Sequence, residues 1–220
     1  MHTSSPDKIA VLLVDDHAVV REGYRRLLET RSNIVVVGEA ASGAEALEQF
    51  SAVSPDVVVM DISLPGISGI ETLRRMLASS PAARVLMFSM YEDAIYANRA
   101  MQTGAFGYVT KASAPNVLLT AVQSVAGGRK YMSPDIAQEL ALRNVATEAD
   151  TLSRLAGREF EVLRLLVKGL PIREIADTMG LTPKTVANHQ SVIKQKLGAE
   201  TSVQLARIGA EILQVPKGLE

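Results

Sequence analysis

The chain of 220 residues contains no cysteine and no tryptophan, and aromatic residues make up only 4% of it. The absence of cysteine excludes disulfides, thiolate metal sites and a cysteine nucleophile. No apolar run approaches the roughly 18 residues that a membrane-spanning helix requires. The first seven residues are polar and lack the apolar segment of a signal peptide. We therefore expect a soluble, cytoplasmic protein with no membrane contact.

Hydrophobic residues make up 47% of the sequence, enough for packed cores, and the length suits two domains. The formal net charge of −1 hides an asymmetry along the chain. Residues 151–220 carry ten Lys and Arg against seven Asp and Glu, a net charge of +3, whereas the rest has a net charge of −4. The acidic first part suits a metal-binding domain, and the mildly basic second part suits a domain that contacts phosphate groups.

The first 126 residues alternate between short β-branched runs and amphipathic segments. The runs fall at about 8–14, 34–38, 57–60, 84–88 and 106–109, and the amphipathic segments at about 17–30, 44–52, 67–78, 92–102 and 114–126. Five such units in succession predict a doubly wound, flavodoxin-like α/β domain with a five-stranded parallel sheet and helices on both faces.

The periodicity changes after the double glycine at 127–128. A short helix is predicted from Pro134 to about Leu142, followed by a polar, aperiodic stretch. Four helical segments then follow, at about 157–168, 172–179, 183–197 and 202–213. We expect a disordered N-terminus (1–7), a first domain (8–126), a linker with the short helix (127–151), a small all-α domain (152–214) and a tail (215–220).

Polar residues that suit phosphate and metal chemistry stand where successive predicted strands end. Asp15 and Asp16 follow the first strand, Asp61 the third, Ser89 the fourth and Lys111 the fifth. The carboxyl ends of parallel strands meet at one edge of the sheet, so these side chains are expected to share a pocket. A single aspartate at a strand end is usually a cap or a turn former. The joint occurrence on several strand ends favours a functional site.

The chemistry of such a pocket is that of a phosphorylatable aspartate. A carboxylate attacks phosphorus only when the negative charges are screened, and Mg²⁺, which prefers oxygen ligands, is suited to this task. We expect Asp61 to be the acceptor, Ser89 and Lys111 to hold phosphoryl oxygens, and the Mg²⁺ ligands to be Asp15, Asp16, Asp61 and the backbone carbonyl of Ser63. His17 is expected to be a surface residue at a helix start, because Mg²⁺ disfavours nitrogen.

The segment at 183–197 presents two different faces on a helical wheel. Val186, Ile193 and Leu197 form an inward stripe, and short polar side chains with lysine lie opposite. Such a face fits the major groove of DNA, where Asn and Gln contact adenine and lysines at the side meet phosphates. A solvated helix face would show the same charges, but the tight turn at Gly180 and Thr182 favours a helix-turn-helix.

Residues 8–126 resemble a response-regulator receiver domain. The resemblance is carried by the acidic pair at 15–16, by residues 61–66 (Asp-Ile-Ser-Leu-Pro-Gly) with Gly69, by Ser89 and by residues 107–111 (Gly-Tyr-Val-Thr-Lys). It implies that Asp61 takes a phosphoryl group from a sensor histidine kinase, and that the domain assists only this transfer and its own dephosphorylation. It also implies that Ser89 and Tyr108 form a switch that reshapes the face of the fourth helix, fifth strand and fifth helix. A half-buried strand aromatic is an equally open interpretation of Tyr108.

Residues 152–214 resemble the LuxR-type helix-turn-helix of NarL/FixJ regulators. The resemblance rests on residues 174–176, 185–189, Ile193 and 196–198, and on Arg158-Glu159 in the preceding helix. It implies a DNA-binding, dimerising domain in which His189 is half-buried and reads no base, and in which the fourth helix supplies the dimer contact. The expected DNA-binding residues are Lys184, Thr185, Ala187, Asn188, Ser191, Lys194 and Gln195.

Together the domains resemble a phosphorylation-controlled transcriptional regulator of a two-component system, with double-stranded promoter DNA and a second copy of the chain as partners. Without phosphate, the receiver either masks the recognition helix or keeps the chain monomeric. Receivers pair either through the first and fifth helices or through the fourth helix and fifth strand.

Two other functions stay open. One is a protein-interaction module whose helical domain never contacts DNA. The other is an aspartyl-phosphate hydrolase, but such enzymes carry a second aspartate as general acid at the position where this chain has Ser63.

Overall fold

The computed structural model describes residues 8–91, 94–142, 155 and 157–213. The chain divides into two compact units, Met1–Arg143 and Asn144–Glu220. The expected disordered N-terminus, the second part of the expected linker and the expected tail lie outside the described residues. The short predicted helix lies within the first unit. In the described part of the chain, no helix has both the length and the apolar character needed to cross a bilayer.

The first unit is built on a parallel sheet, as the sequence predicts. Its strands among the described residues are β1 (Ile9–Val14), β2 (Ile34–Ala40), β3 (Val57–Met60), β4 (Val85–Ser89), β5 (Gly107–Thr110) and β6 (Tyr131–Met132), in the order β2-β1-β3-β4-β5-β6. All pairings are parallel. Every residue of β3, β4 and β5 is buried, because helices cover both faces of the sheet. The order reverses beside β1, so the ends of β1 and β3 face one crevice.

The sixth strand was not predicted, because two residues carry no readable periodicity. It forms where the chain returns along the exposed edge of β5. The backbone N–H of Tyr131 donates to the carbonyl of Phe106, and that of Ser133 donates to the carbonyl of Tyr108, at 3.0 and 2.9 Å. These two bonds satisfy edge groups that β5 would otherwise leave unpaired.

Helices cover the two faces of the sheet in the predicted alternation. They are α1 (Ala18–Glu29), α2 (Gly43–Val53), α3 (Gly69–Ser79), α4 (Ala94–Thr103), α5 (Pro115–Ala126) and α6 (Pro134–Leu142). α1 and α5 pack together over one face, where Leu28 and Val122 join a core with Val59 and Phe88. α2, α3 and α4 form a row over the other face, and α6 packs against α4.

The second unit is helical throughout its described part, again as predicted. Its helices are α7 (Gly157–Val167), α8 (Ile172–Met179), α9 (Pro183–Leu197) and α10 (Ser202–Ile212). α8 ends at Gly180 with φ 61°, a left-handed conformation that glycine adopts without strain. Two residues later the hydroxyl of Thr182 accepts a hydrogen bond from the N–H of Thr185 and starts α9. α7 contacts all three other helices and forms the centre of this unit.

Candidate functional site

Three of the strand-end residues meet in a buried cluster of charges. The Lys111 ammonium donates to Asp15 Oδ2 at 2.5 Å and to Asp61 Oδ2 at 2.6 Å. The three side chains are only 3% to 6% exposed. Lys111 and Asp15 are 96 positions apart in the sequence, so the fold alone brings them together. One ammonium thus bridges two carboxylates at the carboxyl edge of the sheet.

Backbone hydrogen bonds between neighbouring strands fix the positions of these residues. The N–H of Asp61 donates to the Val14 carbonyl at 2.9 Å, and the N–H of Lys111 donates to the Ser89 carbonyl at 2.7 Å. The sheet ladder therefore extends to the site residues themselves. Because sheet positions are rigid, the pocket is held in place before any ligand arrives.

Burial and the neighbouring charges act on the acid–base properties of this cluster. Burial raises the pKa of the Asp61 carboxyl above its ordinary value, although the Lys111 charge opposes this effect. Burial lowers the pKa of Lys111, but the carboxylates of Asp61 and Asp15 outweigh it and raise that pKa overall. The ammonium is therefore held in its charged form, which is the form that can bind a phosphoryl oxygen.

Asp16 lies apart from the Lys111 bridge. It is exposed, and its Oδ1 lies 2.8 Å from Nδ1 of His17. Possible ligand atoms of Asp15, Asp16 and His17 all lie within 4.8 Å of one another, whereas Asp61 faces Lys111. His17 is exposed and precedes α1 as its N-terminal cap residue, as expected for a surface residue at a helix start.

The loop after Asp61 depends on a glycine that makes room for the site. A Cβ built at Gly69 would lie 1.9 Å from the Asp61 carbonyl oxygen, so no other residue fits without a shift of the backbone. The N–H of Gly69 also donates to the Ile62 carbonyl at 2.8 Å. Gly66, with φ 76°, turns the loop as the Pro-Gly pair predicts. Ser63 is exposed, and its N–H donates to Asp61 Oδ1 at 3.2 Å.

The two predicted switch residues are joined through Tyr91, which the sequence did not single out. Ser89 is fully buried and its hydroxyl accepts from the N–H of Tyr91 at 3.3 Å. Tyr108 is also fully buried, and its hydroxyl donates to the Tyr91 carbonyl at 2.7 Å. The Tyr91 hydroxyl lies 2.7 Å from the Ser63 hydroxyl, and its ring stacks on Tyr96 of α4 at 4.2 Å. One residue therefore connects the loop after Asp61 to β5 and α4.

A second group that the sequence did not reveal supports the acidic loop. The Arg21 guanidinium donates to the backbone carbonyl of Asp15 at 2.5 Å and to Glu39 at 3.1 Å. Arg25 donates to the same Glu39 carboxylate at 2.6 Å. Burial raises the pKa of Glu39, but the two arginines outweigh it and hold that pKa below its ordinary value. α1 is thus tied both to β2 and to the loop that carries Asp15.

The α9 helix of the second unit has the two faces that the wheel predicts. Val186 and Ile193 are buried, and Leu197 is partly buried. The exposed residues on the opposite side are Lys184, Asn188, Ser191 and Gln195, while Thr185, Ala187 and Lys194 are partly exposed. The helix therefore presents a polar, weakly basic surface whose side chains are short enough for a close approach of the backbone.

Lys196, one of the lysines at the side of α9, is paired with a carboxylate of the same unit. Its ammonium donates to Glu159 Oε2 at 2.6 Å, and Glu159 is buried. A buried carboxylate attracts the nearest long cationic side chain, and helical periodicity does not reveal such a pair. His189 is half-buried as expected, and burial lowers its pKa below the ordinary value.

Two family models match the chain, and each covers one of its units. The response regulator receiver domain model matches residues 11–123. The model of bacterial regulatory proteins of the luxR family matches residues 153–208.

Individual relatives resemble the chain along most of its length. The response regulator UvrY of Escherichia coli (strain K12) is 37% identical over 202 residues, which are 91% of this chain and 93% of that protein. A two-component response regulator of the LuxR family from Aurantimonas sp. SI85-9A1 is 48% identical, with a TM-score of 0.61, over 63% of this chain and 99% of that one. The RcsB response regulator of Salmonella typhimurium is 25% identical, with a TM-score of 0.60, over 91% of this chain and 97% of that one. RcsB has also been solved as a complex with DNA.

Proposed function

The chain belongs to the response regulators that join a receiver domain to a LuxR-type DNA-binding domain, and on this basis we propose that Asp61 is the phosphoryl acceptor that controls its binding to DNA. As a member of this family it is a phosphorylation-controlled transcriptional regulator and not a classical enzyme. The observation that carries the assignment of Asp61 is its buried carboxylate beside the Lys111 ammonium, at 2.6 Å.

The proposed transfer is a displacement at phosphorus. An oxygen of the Asp61 carboxylate forms a bond to the phosphorus as the N–P bond of a kinase phosphohistidine breaks, and the imidazole nitrogen keeps the electron pair. Lys111, already 2.6 Å from Asp61 Oδ2, balances charge on the phosphoryl oxygens. The buried Ser89 hydroxyl supplies a further hydrogen-bond donor on β4, the neighbouring strand.

The acidic residues around Asp61 fit a divalent cation. Asp15, Asp16 and Asp61 provide three carboxylates against the single ammonium of Lys111, and carboxylate oxygens are the ligands that Mg²⁺ prefers. We propose that these three residues and the Ser63 carbonyl hold Mg²⁺. When bound, the cation would neutralise charge on the phosphoryl group and order the approach of the acceptor.

The switch that follows phosphorylation is proposed to run through Ser89 and Tyr108. If the Ser89 hydroxyl turns to the phosphoryl group, its hydrogen bond with the N–H of Tyr91 is weakened or lost. The Tyr91 carbonyl is also the acceptor of the buried Tyr108 hydroxyl, so both residues are affected by one change. The result is a rearrangement around Tyr91, which follows β4.

The second unit is proposed to bind promoter DNA through the exposed face of α9. Its support is the combination of exposed Lys184 and Asn188 with the tight turn at Gly180. We propose that the active form is a homodimer, in which two α9 helices address half-sites about one helical turn apart. α10 would supply the dimer contact, and its Val203 is exposed. The partner upstream is a sensor histidine kinase, and the site of action is the cytoplasm, where DNA is present.

Hydrolysis of external phosphate esters is the weaker alternative. The position two residues after Asp61 is Ser63, which cannot act as a general acid near neutral pH. Slow loss of the receiver's own phosphoryl group is the only turnover that we propose. Many turnovers in a steady-state phosphatase assay would contradict this view.

The test of the acceptor uses the full chain and radiolabelled acetyl phosphate, a small donor that avoids the need for the kinase. Wild type should gain acid-stable, base-labile label in the presence of Mg²⁺, and Asp61→Asn should gain none. Asp56→Asn is the control, because Asp56 accepts a hydrogen bond from Ala10 at the opposite end of the strands. Label retained in Asp61→Asn, or tight DNA binding that phosphorylation leaves unchanged, would contradict the proposal.

A further inference from the structure

The short helix α6 joins the receiver to the rest of the chain, and it is attached to the elements that the switch moves. The sequence predicts it only as a helix within a linker. In the structure it packs against α4, and Ile136 on its inner side is buried. The segment before it is β6, whose following residue, Ser133, donates its N–H to the carbonyl of Tyr108. The backbone of the switch tyrosine thus directly holds the chain that enters α6.

A carboxylate in the second turn of α6 caps α4. Glu139 Oε2 accepts a hydrogen bond from the N–H of Ala94 at 3.0 Å. Ala94 is the first residue of α4, so its N–H has no acceptor within its own helix. A negative charge at this place is also favoured by the helix dipole. A side chain of α6 therefore caps the start of α4.

A second carboxylate attaches the start of α6 to the end of β5. Asp135 accepts from the Thr110 hydroxyl at 2.9 Å and lies 3.4 Å from the Ser113 hydroxyl. Thr110 is buried and directly precedes Lys111. Burial raises the pKa of Asp135, but hydrogen bonds to its carboxylate outweigh this and lower that pKa overall. Since Asp135 is itself exposed, we expect this contact to be the weaker of the two.

We infer that the α4–β5 face of the receiver is a docking surface for the chain's own interdomain helix, and that phosphorylation of Asp61 releases α6 by withdrawing its two anchor points, Ala94 and Thr110. The inference rests on the proposed function and adds to it the route by which the signal leaves the receiver. Tyr91 and Ala94 are only three positions apart in the sequence, so a change at Ser89 takes place close along the chain to the Glu139 contact. While α6 is docked, it covers this part of the α4–β5 face.

The experiment measures hydrogen–deuterium exchange of α6 in the full chain, with and without Mg²⁺ and beryllofluoride, a mimic of the phosphoryl group. In wild type, beryllofluoride should raise the exchange rate of the 135–142 amides by at least roughly tenfold, because the loss of one charge-assisted hydrogen bond alone is worth about this factor. Glu139→Ala should show the raised rate without beryllofluoride. Glu139→Gln, whose amide oxygen can still accept from Ala94, should lie between the two.

Gln138→Ala is the matched control, because Gln138 is the exposed neighbour of Glu139 on the same helix. It should exchange like wild type in both states. Equal protection of α6 with and without beryllofluoride, or equal rates in Glu139→Ala and Gln138→Ala, would overturn the inference. Acetyl phosphate labelling of each variant distinguishes failure of the proposed function from failure of the docking inference. Absence of label at Asp61 defeats the proposed function, whereas label with an unchanged α6 defeats the docking inference alone.

Discussion

The proposed acceptor pocket, formed by Asp15, Asp61 and Lys111, and the outer face of α9 hold their polar residues in opposite ways. In the pocket, Asp15, Asp61 and Lys111 come from three strands, are buried and compensate one another's charge. On α9, Lys184 and Asn188 come from one helix and are exposed. The pocket is thus a product of topology, and one change should disturb all of it. The α9 face is a product of local sequence, and one change should alter only recognition.

The largest effect is expected from Lys111→Met, which removes the ammonium that joins the two buried carboxylates. Loss of one partner of a buried ion pair costs about 3–5 kcal/mol of unfolding free energy, because the remaining charges stay buried without compensation. Mg²⁺ should restore more stability to the variant than to wild type, since the ammonium no longer competes for the carboxylates. Chemical denaturation with and without Mg²⁺ measures both effects.

Lys130→Met serves as its control, because Lys130 is an exposed lysine of the same unit. It should change the unfolding free energy by less than about 0.5 kcal/mol. Similar losses of unfolding free energy in Lys111→Met and Lys130→Met would mean that the pocket tolerates substitution as well as the surface does. The contrast with α9 would then fail.

Gly69→Ala should have the next largest effect, through packing and not through charge. The added Cβ would lie 1.9 Å from the Asp61 carbonyl oxygen, so the loop that carries Asp61 must move. We expect a loss of about 1–3 kcal/mol and slower labelling by acetyl phosphate. Gly23→Ala in α1 is the control. A Cβ at Gly23 meets nothing within 4 Å, so the helix should gain up to about 1 kcal/mol. A neutral Gly69→Ala would show that this contact does not position Asp61.

Substitutions on α9 should leave stability unchanged and act on DNA binding. Asn188→Ala should weaken binding to a selected operator by about 1–3 kcal/mol if its amide contacts a base. Lys184→Ala should lower the slope of log K against log salt by about one, because one phosphate contact is lost. Lys168→Ala, an exposed lysine outside α9, is the control. Salt titrations by fluorescence anisotropy report both quantities, and identical slopes for the two lysine variants would remove Lys184 from the interface.

The smallest expected effect is the pH dependence of the stability of the second unit. Burial lowers the pKa of His189, so the unfolded chain binds a proton more readily than the folded one. Stability should therefore fall as pH decreases below about 6.5, and the loss should level off below the folded pKa. Calorimetry of wild type and His189→Gln measures this, with exposed His17→Gln as the control. An equal pH dependence in wild type and His189→Gln would contradict the prediction.

The sequence predicted those elements whose residue types and spacing along the chain directly indicate a strand or a helix. The strands that end near Asp15, Asp61, Ser89 and Lys111 are short, continuous apolar runs, so the parallel sheet and the shared edge could be predicted. The turn at Gly180 and Thr182 indicated where α9 begins. The DNA contacts and the metal ligands remain predictions.

What escaped prediction are contacts between single polar side chains that are far apart in the sequence. Glu139 and Asp135 look like ordinary surface acids on a short helix, and only the fold places them against Ala94 and Thr110. Tyr91 follows a strand without any pattern that indicates its contacts with Ser63, Ser89, Tyr96 and Tyr108. Such pairings depend on distances between elements, which periodicity does not contain.

The ion pair between Lys196 and Glu159 leaves the net charge of residues 151–220 at +3, but it engages one of the lysines of α9. The Lys196 ammonium is held by a carboxylate of α7. Counterions released on binding to DNA should accordingly be fewer than the three lysines of α9 suggest. A regulator with so modest an electrostatic attraction would depend on pairing with a second copy to hold its operator at physiological ionic strength.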